Sequence, residues 1–222
     1  MQALDLSGFL NTISIWAIPV LFAVTLHEVA HGWMARYFGD RTAELLGRLS
    51  LNPLRHVDPV GTIVIPGLLL ALGMPLFGWA KPVPVATSAL RRPRLALVTV
   101  ALAGPAANLF MALLWCAILA AVVRIRRDAT LDHWVVLMAQ AGIVANVIFA
   151  IFNLLPIPPL DGGRVLIGVL PARIGAKLEK MAPAGMLIIV GLSVLGLFGW
   201  LFVPAYRAMG QVINALLVGA AA

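Results

Sequence analysis

Residues 22–35 read Phe22-Ala23-Val24-Thr25-Leu26-His27-Glu28-Val29-Ala30-His31-Gly32-Trp33-Met34-Ala35, with three ionisable side chains inside an otherwise apolar run. On a helix, the spacing His27-Glu28-x-x-His31 puts two imidazoles on one face with a carboxylate beside the first. Two ring nitrogens and an adjacent base are the start of a zinc site equipped for hydrolysis. The flanks read as membrane helix. The plainer alternative, two interior histidines satisfied by hydrogen bonds, does not offset the cost of placing three ionisable groups in lipid.

Composition supports the membrane reading. Of 222 residues, 62% are hydrophobic and 11% charged, with a mean hydropathy of +1.00. Soluble domains lie nearer half apolar and a quarter charged. The chain is therefore read as one integral membrane domain. Its net charge of +7 sits mainly at the ends of apolar segments, a topology signal rather than a nucleic-acid surface. The lone cysteine, Cys116, excludes an intramolecular disulfide and a multi-cysteine metal site, and reads as a buried, inert thiol. Met1 to Gly8 carry no positive charge, so a cleaved signal peptide is not expected.

Five regions are apolar enough to enter a bilayer: 9–38, 60–77, 95–123, 134–155 and 184–206, with a shorter apolar tail at 208–222. A span needs about 20 residues, so four of the five read as helices that cross. Region 60–77 is broken by Pro66, Gly67, Gly73 and Pro75 and reads as re-entrant. If it is re-entrant, twelve of the 16 Lys and Arg residues share a face with Arg36, leaving Arg124, Arg126, Arg127 and Arg207 opposite. A full span would divide them eight and eight. The positive-inside rule favours the first arrangement, with the N-terminus outside. Residues 44–51 and 80–85 look extended and are expected to pair into a small sheet at the inner face. The fold class expected is an all-α polytopic membrane protein, with five to six transmembrane or re-entrant segments and a small β element.

At the helical rise, His31 lies roughly 8 Å and His27 roughly 13 Å before Arg36, sunk below the inner surface but within reach of water. A catalytic zinc usually takes three protein ligands. His56 and His133 sit at segment edges near aspartates and can simply be solvated. Asp161 differs, lying in Asn153-Leu154-Leu155-Pro156-Ile157-Pro158-Pro159-Leu160-Asp161-Gly162-Gly163-Arg164, where prolines unwind the backbone and glycines permit close approach. On the topology above it returns to the histidine face. Taken alone, Asp161 would be the N-cap of a short helix more often than a ligand; the histidine pair reverses that preference.

H-E-x-x-H in one apolar helix and N-x-x-P-x-P-x-L-D-G after a later one resemble the site-2 protease family of intramembrane zinc metalloproteases. Asn52-Pro53-Leu54-Arg55-His56-Val57-Asp58-Pro59-Val60-Gly61, Gly78-Trp79-Ala80-Lys81-Pro82-Val83-Pro84-Val85 and Ala103-Gly104-Pro105-Ala106-Ala107-Asn108 agree with it. The resemblance runs from about residue 20 to 170 and is to compact members without accessory peptide-binding or regulatory domains. It implies one Zn²⁺ per chain held by His27, His31 and Asp161, with Glu28 catalytic and Asn153 supporting the substrate backbone or oxyanion. Asn108 matches a further family asparagine and joins Val83 and Val85 as a candidate substrate contact. Those valines could present an edge to an unwound substrate by β-addition. His56 and Asp58 shape their loop. The implied substrates are single-span membrane proteins, cut within the bilayer of a prokaryotic cell membrane near its cytoplasmic face. Two other classes stay open: a metal-ion transporter, disfavoured by the lack of a visible repeat, and a protein that binds membrane peptides without cutting them.

Overall fold

In lipid every backbone N–H and C=O must be satisfied within the chain, so long apolar stretches become helices. The computed structural model describes residues 6–65, 67–68, 80–125 and 129–219. Helix α1 is Leu6–Tyr37, α2 is Pro93–Ile125 and α3 is Ala129–Asn153. Three short helices follow: α4 at Asp161–Val169, α5 at Ala172–Lys180 and α6 at Ala182–Val194. The last, α7, is Phe198–Gly219. Helices α1, α2 and α3 pack against one another pairwise, α4 lies against α2, and α7 lies against α2 and α3. Leu119, Val123, Val136, Ala139, Ile143 and Met209 join α2, α3 and α7 in one apolar cluster. Outward, α2 shows Leu102, Leu109, Phe110, Leu113 and Leu114. That exposed apolar face suits lipid, not water.

Four described helices are long and apolar enough to cross a membrane: Asn11–Tyr37, Pro93–Ile125, His133–Asn153 and Phe198–Val218. The chain is an integral membrane protein. The expected spans 9–38, 95–123 and 134–155 coincide with α1, α2 and α3. The expected span 184–206 does not form. It divides at Gly196, φ +69°, into α6 of 13 residues and the start of α7. Thirteen residues reach about 20 Å, short of a hydrocarbon core of about 30 Å. The tail counted separately at 208–222 is mostly the second half of α7, and Arg207 lies within that helix rather than in a loop. Hydropathy cannot see this break, because the run stays apolar through Leu195-Gly196-Leu197 and only a left-handed residue ends the helix.

The small β element is likewise corrected: no strand occurs among the described residues. Residues 80–86 are extended, yet Pro82 and Pro84 have no N–H to give a ladder. Three of the donors that remain go elsewhere, Lys81 N–H to the His56 carbonyl at 2.9 Å, Val83 N–H to Glu28 Oε2 at 2.7 Å and Ala86 N–H to Asp40 Oδ2 at 2.7 Å. Of region 60–77, residues 66 and 69–77 lie outside the described residues, and with them its re-entrant path. The described beginning is a π-helical turn at Pro59–Val64, capped by Asp58, which accepts from Val60 N–H at 3.0 Å and Gly61 N–H at 2.7 Å.

Candidate metal centre

His27 and His31 lie one turn apart on the inner side of α1, 8% and 4% exposed. Asp161, 5% exposed, reaches them from the first residue of α4. The residue flanking that helix is Leu160, with no side-chain cap, so Asp161 does not act as a cap. Prolines 156, 158 and 159 end α3 and fold the chain back. A Cβ on Gly162 would collide with the Leu154 carbonyl, and one on Gly163 with the Pro158 backbone. Glycine is what lets α4 start so close to the end of α3.

Asp161 Oδ2 lies 3.1 Å from His27 Nε2 and 3.3 Å from His31 Nε2, and the two Nε2 atoms are 3.0 Å apart. Three donors at 2.0–2.1 Å around a tetrahedral zinc would be separated by roughly 3.3 Å. The fit is close. Asp161 Oδ2 is also buried without a hydrogen-bond partner, as an atom reserved for a cation would be. His27, His31 and Asp161 are the group among the described residues that could hold a metal ion.

The opposite edge of each ring sets its tautomer. His31 Nδ1 is 2.7 Å from the Val100 carbonyl, which can only accept, so Nδ1 carries the proton and Nε2 a lone pair. His27 Nδ1 is 2.7 Å from Asn108 Oδ1. Asn108 donates its Nδ2 to the Ala23 carbonyl and to Asn146 Oδ1, both at 3.0 Å. Asn146 donates its own Nδ2 to the Gly142 carbonyl at 2.8 Å. The two backbone carbonyls thus fix both amide orientations, and Asn108 Oδ1 must face the His27 N–H. Both asparagines are fully buried. Such supporting bonds orient ligands, and their loss costs about 10–100-fold in metal affinity. Asn146→Leu is therefore expected to weaken zinc binding by about tenfold in a competitive chelator titration while the helical circular dichroism is kept.

Asn108, expected as a candidate substrate contact, has its amide hydrogen-bonded inside the bundle to His27, Ala23 and Asn146. Asn146 was missed, although an asparagine in the middle of an apolar helix, four residues after a glycine, is itself a signal. Gly104 was also missed as a site residue. A Cβ there would stand 2.5 Å from His31 Nε2 and 2.6 Å from His27 Cε1, so only glycine lets α2 come this near the ligands. His56 is buried and its Nε2 meets the Ser50 carbonyl at 2.8 Å; it shapes the loop. His133 is exposed near the start of α3. Asn153 donates Nδ2 to the Phe149 carbonyl of its own helix at 3.0 Å. Val83 is buried, and Val85 packs against Ala35, Leu90, Ala96 and Val100.

Three converging donors with one carboxylate alongside can hold a zinc ion and move a proton next to it. The model of peptidase family M50 matches residues 15–197. "Putative zinc metalloprotease YwhC" of Bacillus subtilis is 36% identical over 193 residues, 86% of this chain and 85% of the relative. "Putative zinc metalloprotease Rip2" of Mycolicibacterium smegmatis is 34% identical over 204 residues, 89% of this chain and 72% of the relative. Its namesake in Mycobacterium tuberculosis is 35% identical over 215 residues, 93% and 76%. No solved structure matches the chain. With this donor set in apolar helices and these relatives, the chain belongs to peptidase family M50, the site-2 proteases, and is a membrane zinc metalloprotease.

Proposed function

We propose that this protease cuts single-span membrane proteins within their transmembrane segments, in the plasma membrane of a prokaryotic cell, near the cytoplasmic face. The observation that carries the reading is the depth of the site. His27, Glu28 and His31 lie six to ten residues before the end of α1 at Tyr37, about 9–15 Å along the helix, and α1 is itself long and apolar enough to span. A peptide bond reaching this site must come from a segment that is also in the membrane. The clustering of Lys and Arg after α1 supports the cytoplasmic side for that end.

His27, His31 and Asp161 would hold the zinc, which when bound acidifies a water and polarises the scissile carbonyl. Glu28 takes the proton of the attacking water on a carboxylate oxygen and returns it to the leaving amine. Its Oε2 is held by the Val83 N–H, which leaves Oε1 for that transfer. Asn153, at the C-terminal end of α3 and eight residues before Asp161, is proposed to meet the substrate backbone once its side chain leaves the Phe149 carbonyl. The segment bearing Val83 and Val85 borders Glu28, so the substrate, unwound to free its carbonyls, passes along it.

The test is cleavage in a defined bilayer. The purified protein is reconstituted with a fluorogenic single-span peptide, and the products are mapped by mass spectrometry. A cut inside the apolar segment, abolished by a zinc chelator and restored by zinc, is the expected result. Cleavage confined to soluble or juxtamembrane sequence would overturn the reading.

A further inference from the structure

Glu28 does not fix its own orientation. Its Oε2 accepts from Val83 N–H at 2.7 Å, a donor 55 residues away on the extended strap 80–86. That strap has no helix or ladder of its own and is held at three points. Lys81 N–H donates to the His56 carbonyl at 2.9 Å. The Arg48 guanidinium donates to the Lys81 and Pro82 carbonyls at 2.7 and 3.4 Å. Ala86 N–H donates to Asp40 Oδ2 at 2.7 Å.

Asp40 is the anchor on the far side of Val83. It is 1% exposed and lies three residues beyond α1, the helix that carries Glu28. Its Oδ1 accepts from Thr42 N–H at 2.9 Å and Thr42 Oγ1 at 2.5 Å. Three donors converge on one side chain. Only a carboxylate accepts on both oxygens, since an asparagine would turn its own NH₂ against either Ala86 or Thr42. Burial alone would raise this carboxyl, but the Thr42 and Ala86 donors hold it below its ordinary range. The strap is thereby tied back to the helix it serves, with the catalytic carboxylate caught between the two.

We infer that Asp40 is a positioning residue: by holding Ala86 it keeps the strap seated, so that Val83 N–H confines Glu28 to a single orientation beside His27, His31 and Asp161. The inference rests on Glu28 being the proton-transfer group of the proposed reaction. Catalytic groups must be held to within a fraction of an ångström, and a misplacement of about 1 Å costs on the order of 100-fold in rate.

The experiment compares Asp40→Ala, Thr42→Val and Ala86→Pro in the full-length reconstituted protein. Ala86→Pro removes the same hydrogen bond from the strap side, at a backbone φ of −87° that proline approaches. Thr42→Val removes only the hydroxyl donor. Zinc content, amide hydrogen exchange at Val83 and Ala86 in the metal-free protein, and kcat and KM on the fluorogenic single-span peptide are read for each. Asp40→Ala is expected to speed exchange at Val83 and to lower kcat by about tenfold or more, with KM within about twofold and one zinc per chain. Ala86→Pro is expected to show the same exchange at Val83 and the same kcat loss, and Thr42→Val to stay near the parent. Unchanged Val83 exchange in Asp40→Ala overturns the inference, as does an equal loss in Thr42→Val, which would mark Asp40 as the cap of its own turn. If Asp40→Ala loses zinc, Ala86→Pro decides, and an unchanged kcat there overturns the proposal. Should the parent protein cut no transmembrane peptide, the proposed function fails, while the exchange measurement still tests Asp40.

Discussion

Glu28→Gln is expected to lower peptide-bond cleavage by about 10²–10⁴-fold while leaving one zinc per chain. Glutamine matches glutamate in shape, and its carbonyl oxygen can still accept from Val83 N–H, so the strap keeps its seat. What disappears is the ability to take a proton from water and hand it on. Metal affinity should scarcely move, because the donor atoms proposed for it belong to His27, His31 and Asp161. The same variant separates the classes left open by the sequence. A metal transporter or a simple peptide binder has no need of a base at this position and would keep its activity. Cleavage measured alongside elemental analysis reads both properties in one preparation, and substantial residual proteolysis would remove Glu28 from the mechanism. The inactive form should also retain its targets, which makes it the means of identifying them from native membranes.

Gly104→Ala is expected to strip the metal although it alters no ligand. The added methyl would lie 2.5–2.6 Å from ring atoms of both histidines, whereas real contacts of that kind begin near 3 Å. Relief requires α2 to withdraw or the rings to turn. Either movement disturbs the bond from His31 Nδ1 to the Val100 carbonyl, since Val100 sits one turn before Gly104 on the same helix. A weakening of zinc binding by about 100-fold is the expected size, the upper range for lost ligand support. Gly191→Ala is the control, because a Cβ there meets nothing within 4 Å and alanine favours a helix by about 0.5–1 kcal/mol. Full zinc occupancy in Gly104→Ala would mean that α2 does not approach the ligands as closely as described.

The residues grouped to hold a metal were legible because their chemistry is dear in lipid and their spacing follows the helical repeat. His27, Glu28 and His31 announce themselves, and the prolines before Asp161 mark where the chain turns back. What escaped was everything that depends on contacts between helices. Gly104 looks like any glycine until the histidines of α1 are set against it. Asn146 matters only because Asn108 is opposite. Asp40 reads as a loop charge until Ala86 is brought to it from 46 residues away. The division of 184–206 at Gly196 was hidden for another reason, since hydropathy averages over the one residue whose backbone conformation ends the helix. The absent sheet follows from proline, which alternates with the very donors a ladder requires.

The convergence of His27 and His31 with Asp161 has a consequence for assembly. Asp161 lies 134 residues beyond His27 in sequence, so an ion held by all three acts as a removable cross-link closing a long loop of chain. In a soluble protein such closure would restrict the unfolded chain by about 5 kcal/mol in the chain-entropy treatment. Here the spanning helices stay inserted whether or not they touch, so the ion bears on their association instead. It would pin α4 to α1, and through the Asn108–Asn146 relay His27 also engages α2 and α3. A zinc bound here would thus be both reagent and rivet, tying the start of α4, a helix that packs against α2, to α1 as well.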